Sequence, residues 1–233
     1  MFPTLAALFL AHVLADFVLQ SDAMVKTKTA ALTLLKHGAV VLITAAIATG
    51  SLSPWLLALT AAHLAIDLAK TRAPRNLWAF LADQAAHAAT LVAAAPLIAT
   101  GWPDPAPAVM ALTAGAILTT RAGGFAIGLL MQPWTDDIDG NQIGGLTGAG
   151  RVIGHLERGL IFLLILSGQT QNIGFLIAAK SVLRFGTVSD DRKVSEYVIV
   201  GTLASVSWAI GATLLTTMLL SHLPTLGIPD LLP

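Results

Sequence analysis

Long apolar runs separated by short polar breaks dominate the chain. The runs fall at residues 2–20, 30–49, 54–71, 76–100, 106–132, 151–168, 171–185 and 195–221. Between them lie Lys26 and Lys28, the turn Gly50 to Pro54, the basic stretch Arg72 to Arg75, the proline-rich Gly101 to Pro107, the polar loop Pro133 to Gly150, Gly168 to Gln171, and Ser189 to Lys193. A transmembrane helix needs about 20 apolar residues. The pattern therefore predicts an all-α, polytopic transmembrane helix bundle of about eight spans, a single integral membrane domain over residues 1–233. The 171–185 run is short and ends in charges, which suits a re-entrant or tilted helix. The first run lacks a basic leading segment and carries His12 and Asp16 inside it, so it reads as a retained helix and not as a cleavable signal.

Composition agrees. Hydrophobic residues make up 55% of the chain and charged ones 11%, with a mean hydropathy of +0.78; a soluble domain needs about a quarter charged. Thirteen Lys and Arg balance thirteen Asp and Glu, so no basic surplus is available to hold nucleic acid. The absence of cysteine excludes disulfides, iron–sulfur clusters and thiolate chemistry. Lys26, Lys28, Arg72, Arg75, Arg151, Arg192 and Lys193 all fall in or at the edge of odd-numbered connections, whereas the even ones and the C-terminal tail carry no Lys or Arg. By the positive-inside rule the odd loops, including 133–150, are cytoplasmic and both termini extracytoplasmic.

The first hundred residues contain a pattern that repeats. Ala11-His12-Val13-Leu14-Ala15-Asp16 in the first run resembles Ala62-His63-Leu64-Ala65-Ile66-Asp67 in the third, and the second and fourth carry His37 and His87. His12 to His63 is 51 residues and His37 to His87 is 50. Residues 1–100 thus read as a tandem pair of helical hairpins related by an axis along the membrane normal, followed by a second helical half, 101–233.

His12 and Asp16, His63 and Asp67, and Asp83 and His87 are each four apart and share a helix face; Gln20 continues the first stripe. At 1.5 Å per residue, His12, His37, His63 and Asp83 lie about 10–12 Å from the cytoplasmic helix ends, one titratable layer shared by four helices. Each carboxylate inside a span costs about 2.5–3.5 kcal/mol, so three demand compensation. Asp16, Asp67 and Asp83 give −3 and Lys36 gives +1; one divalent cation closes the difference. Imidazole and carboxylate suit zinc, and also manganese or iron. His12, His37, His63 and His87 are the expected metal ligands, with Asp16, Asp67 and Asp83 completing the shell or acting as general base. The competing reading is that protonated Asp or Asp–His⁺ pairs pin the helices together.

The second half is cationic. Arg121 sits beside Gly123 and Gly124, Arg158 follows Glu157, and Lys180 and Arg184 are four apart on one face. Such a like-charged pair is repulsive without an anion nearby, so Arg121, Arg158, Lys180 and Arg184 are the expected anion-binding set, suited to phosphate. Alternatively Glu157 and Glu196 neutralise two of these bases while the others snorkel.

Two stretches together resemble a known family. Ala11-His12 through Asp16-Phe17 to Gln20, with His63/Asp67 and Asp83-Gln84 to His87, is similar to its N-terminal half. Gly154 to Arg158, Ile173 to Ser181, Arg184-Phe185 and Glu196-Tyr197 to Gly201-Thr202 resemble its C-terminal signature. The family is the bacterial integral-membrane domain of unknown function 3307, which implies an inner-membrane protein and no assigned activity. A looser similarity, to the YdjM-like membrane-bound metal-dependent hydrolases, rests on membrane-embedded His/Asp motifs. The expected function is a metal-dependent hydrolase acting from the cytoplasmic leaflet on a phosphate-bearing lipid or similar amphiphile. The alternatives are a proton- or metal-ion-coupled transporter and a non-catalytic membrane subunit or assembly factor.

Overall fold

The computed structural model describes residues 1–27, 29–135, 148–188 and 192–226; among them it contains helices and no strand. Each of the eight apolar runs corresponds to a helical stretch. Helix α1 (Phe2–Leu14) continues through a π-type segment, Ala15–Leu19; the short α2 (Asp22–Lys26) follows, then α3 (Ala31–Thr49), α4 (Trp55–Lys70) and α5 (Leu77–Ala94). Helix α6 (Ala106–Ile117) runs through a second π segment, Leu118–Ala122, into α7 (Gly123–Thr135); α8 (Ala149–Leu166), α9 (Asn172–Val188) and α10 (Arg192–Leu220) complete the chain. The 171–185 run is an uninterrupted 17-residue helix. Most of the 133–150 loop lies outside the described residues, and α7 continues through Pro133.

Four stretches, Phe2–Leu19, Ala31–Thr49, Ala106–Thr135 and Arg192–Leu220, are long and apolar enough to cross a membrane. Helix α4, at 16 residues, spans only about 24 Å against a hydrocarbon core of about 30 Å; α5 carries Asp83, Gln84 and His87 within it, and α8 carries Arg151, Glu157 and Arg158. Leu35, Trp78, Phe175 and Val182 are all at least 70% exposed. Water solvates such a surface poorly, whereas lipid does not.

Local signals place the helix ends. The Ser21 hydroxyl accepts from the Met24 amide at 3.3 Å and the Asn76 side chain from the Ala79 amide at 2.9 Å, satisfying donors that a first turn leaves open. Gly50 ends α3 in the left-handed region at φ 61°, where a Cβ is strained.

The chain divides into two compact units. In the first, Met1–Ile117 with the chain from Thr216, α1 packs on α3, α3 on α4, α4 on α5 and α5 on α1, closing a four-helix ring; α6 packs on the outside of α1. At one end the ring is filled by Leu8, Leu56, Leu59, Leu91, Ile98 and buried alanines. That end is tied by Thr4 Oγ1 to the Ile98 carbonyl at 3.0 Å and by the Gly101 amide to the Thr49 carbonyl at 2.8 Å. The second unit, Leu118–Leu215, packs Ile161 of α8, Ile173 of α9 and Ala209 of α10 into one apolar cluster.

Candidate metal centre

The other end of the ring is polar. Helix α1 contributes His12 and Asp16, α3 His37, α4 His63 and Asp67, and α5 Asp83 and His87; His12, His37, His63, Asp67, Asp83 and His87 are buried, and the Asp16 side chain is only 9% exposed. All seven residues predicted from the spacing meet here. The π segment begins at Ala15, so Asp16 lies where α1 changes winding. Such insertions re-aim side chains and recur at functional positions.

Four atoms form the closest group. His37 Nε2 lies 3.1 Å from His63 Nε2, 3.1 Å from Asp67 Oδ2 and 3.5 Å from Asp16 Oδ1. His63 Nε2 lies 3.2 Å from Asp16 Oδ1 and 3.7 Å from Asp67 Oδ2. Ligands about 2.0–2.1 Å from a tetrahedral ion stand about 3.3–3.4 Å apart. The five separations bracket that value, and two imidazole nitrogens with two carboxylate oxygens are zinc-type donors.

Around this group the partners are polar and mostly buried. The Gln20 amide nitrogen is 3.4 Å from His37 Nε2. Gln84 donates its amide to Asp83 Oδ2 at 3.0 Å, which turns its carbonyl oxygen towards His12 Nε2 at 3.3 Å. The Asp83 carboxylate also accepts from Lys70 Nζ at 2.5 Å, and His87 Nδ1 donates to the Asp83 main-chain carbonyl at 2.9 Å. Lys70 is one-third exposed and reaches from the cluster to the surface.

Lys70 thus supplies the positive charge that the sequence pattern places on Lys36, which is exposed. The signal was present, since His63, Asp67 and Lys70 fall at i, i+4 and i+7 on one face of α4. The charge balance is unchanged: three carboxylates and one ammonium leave −2, the deficit one divalent ion fills.

The second unit accounts for its cations differently. The π segment Leu118–Ala122 frees main-chain carbonyls. Arg158 Nε and Nη2 donate to the Thr120 carbonyl at 3.2 and 2.9 Å, and Trp208 Nε1 donates to Leu118 at 3.0 Å. Arg158 Nη1 donates to Ser205 Oγ at 3.1 Å, so this buried guanidinium joins α8, the π segment and α10. Gly123, Gly124 and Gly154 give it room, for a Cβ on each would fall 3.0–3.3 Å from its side chain. Lys180 pairs with Glu157 at 2.6 Å. Glu196 pairs with exposed Arg192 on its own helix. Arg121 is exposed, and the Arg184 side chain lies outside the described residues.

Fold and site together define a helical protein with segments long and apolar enough to cross a membrane and a His/Asp cluster buried in a four-helix ring. Residues 4–104 match the model of the family described as "Protein of unknown function (DUF3307)". That segment holds the whole ring and all seven cluster residues, whereas the Gly154–Arg158, Ile173–Ser181 and Glu196–Thr202 runs lie beyond it. No curated protein and no solved structure matches the chain.

Proposed function

We propose that the ring binds a divalent metal ion, zinc by its donor set, between Asp16, His37, His63 and Asp67, and that the protein is a metal-dependent hydrolase of phosphate-bearing lipids or similar amphiphiles. One observation carries this reading: four donor atoms from three helices, five of whose six separations lie near the edge length of a tetrahedral shell. An ion there would lower the pKa of a bound water and polarise a phosphoryl oxygen; zinc accepts a fifth ligand during such chemistry.

The chain's own residues supply the rest. Asp67, through the carboxylate oxygen not placed on the ion, offers a base for proton transfer. Lys70, fixed on Asp83 and reaching the surface, is placed to meet an anionic headgroup. Arg72 and Arg75, both exposed, follow it at the same end of α4. With Arg158 and Lys180 engaged in helix contacts, the charge that meets substrate belongs to this basic end. The same Lys and Arg residues support a cytoplasmic site. The eight helical stretches support eight crossings with both termini outside, and the doubled His-x-x-x-Asp motif on α1 and α4 supports the hairpin repeat.

Transport is the second reading, favoured by the hydrogen-bonded His/Gln/Asp/Lys chain that leads from the ring to the surface. The apolar filling of the ring's other end argues against a path that continues across.

The test is metal content of the purified protein, with His37→Ala and His63→Ala as controls, followed by hydrolysis of phosphate-bearing lipids in vesicles. Bound metal lost in both variants, with metal-dependent turnover, is the expected result. Metal-free protein that keeps its fold and function in both variants refutes the proposal; bound metal without turnover moves the weight to transport.

A further inference from the structure

We infer that the ring holds a second divalent ion, on His12 and His87, bridged to the first through Asp16. The inference rests on the first centre described above and extends it to a binuclear one.

Hydrogen bonds fix the tautomers. His87 uses Nδ1–H on the Asp83 main-chain carbonyl at 2.9 Å, so its Nε2 carries a lone pair. That atom is buried and has no hydrogen-bond partner. The Gln84 amide, turned by its bond to Asp83, presents its oxygen to His12 Nε2. His12 therefore donates from Nε2 and keeps its lone pair on Nδ1, which is also buried without a hydrogen bond. Asp83 Oδ1 is the third such atom, since Lys70 and Gln84 both engage the other oxygen.

Three buried acceptors with no donor are costly as they stand, and acceptors alone are stabilised by a cation. His12, Asp16, His63 and His87 offer ligand atoms within 4.8 Å of one another, whereas Asp83 groups with Asp67 and His87. Ligands on opposite sides of an ion with bonds of about 2.1–2.2 Å stand about 4.3 Å apart, so such a span fits a higher coordination number completed by water or substrate.

Asp16 joins the two positions. Its Oδ1 faces His37 and His63, and its Oδ2 faces His12 Nδ1 at 3.9 Å. A carboxylate placed this way suits ions about 3.5–4 Å apart, the spacing of two-metal hydrolytic centres. Three carboxylates, Lys70 and two divalent ions sum to +2. An anionic phosphate ester offsets that charge on binding, so the second ion ties the site to phosphoryl substrates.

The experiment titrates metal-free protein with zinc and counts bound ions at saturation in the wild type, His87→Gln and His37→Gln. The same titration with manganese is read by electron paramagnetic resonance. Two zinc ions per wild-type chain, one in His87→Gln, and an exchange-coupled manganese spectrum are expected. One ion per wild-type chain at saturation, with an uncoupled six-line spectrum, overturns the second site and leaves the first standing. No bound ion overturns both.

Discussion

Replacing Asp16 by Asn keeps the size of the side chain and removes one charge, and the sign of its effect separates a metal centre from a set of ion pairs. If the ion is the compensating charge, the metal-free wild type holds a net −2 in the ring. Asn lowers this to −1 and relieves part of a cost of about 2.5–3.5 kcal/mol per uncompensated carboxylate. The metal-free variant should then be as stable as the metal-free wild type, or more stable by up to about 3 kcal/mol. The loss appears only with metal. At free zinc 100-fold above Kd, binding stabilises the wild type by about 2.7 kcal/mol. A 100-fold weaker site at the same concentration retains about 0.4 kcal/mol. The assay is thermal unfolding in detergent of both proteins, with zinc and with chelator. If Asp16 instead pairs with a protonated His37 or His63, the variant strands a buried charge and loses about 3–5 kcal/mol whether or not zinc is present. That outcome, together with a wild type indifferent to chelator, refutes the metal centre.

Three further outcomes follow from the contacts. Lys70→Met leaves the Asp83 carboxylate buried against Gln84 alone; discounted for the partial exposure of Lys70, the loss is about 1–3 kcal/mol, and adding Asp83→Asn should restore most of it in a double-mutant unfolding cycle. Gly123→Ala puts a Cβ 2.6 Å from Trp208 Cδ1 and 3.0 Å from Arg158 Cδ, so it should cost about 1–3 kcal/mol of thermal stability while zinc content by elemental analysis stays at the wild-type value. Zinc content at equilibrium should fall as pH is lowered, because the proton competes with the ion for each imidazole and carboxylate; dialysis across a pH series checks the sign, and metal retained at acidic pH contradicts the ligand assignment.

Much of the site was legible because helix periodicity and charge cost are local. The His12/Asp16, His63/Asp67 and Asp83/His87 spacings put each pair on one face, and the expense of three carboxylates in apolar helices required them to meet. Three features escaped. Lys70 stands next to the loop bases Arg72 and Arg75, although its register with His63 and Asp67 marks it as part of the cluster. The π segments at Ala15–Leu19 and Leu118–Ala122 have no signature that a 3.6-residue period reveals, yet one sits at Asp16 and the other creates the carbonyls that hold Arg158. Arg158 and Lys180 of the second half read as anion ligands because a lone charge inside an apolar run leaves its partner unnamed. Arg158 found a main-chain carbonyl, an acceptor every residue carries.

The Leu8, Leu56, Leu59 and Leu91 filling at the far end of the ring has an electrical consequence. Charge entering beside Lys70 would meet hydrocarbon beyond His87, so on the proposed reading the ring would insulate, open to charge at one end only. Vesicles densely loaded with the protein should hold a potassium diffusion potential as long as empty ones do, and cutting Leu56 and Leu91 back to serine should short-circuit them.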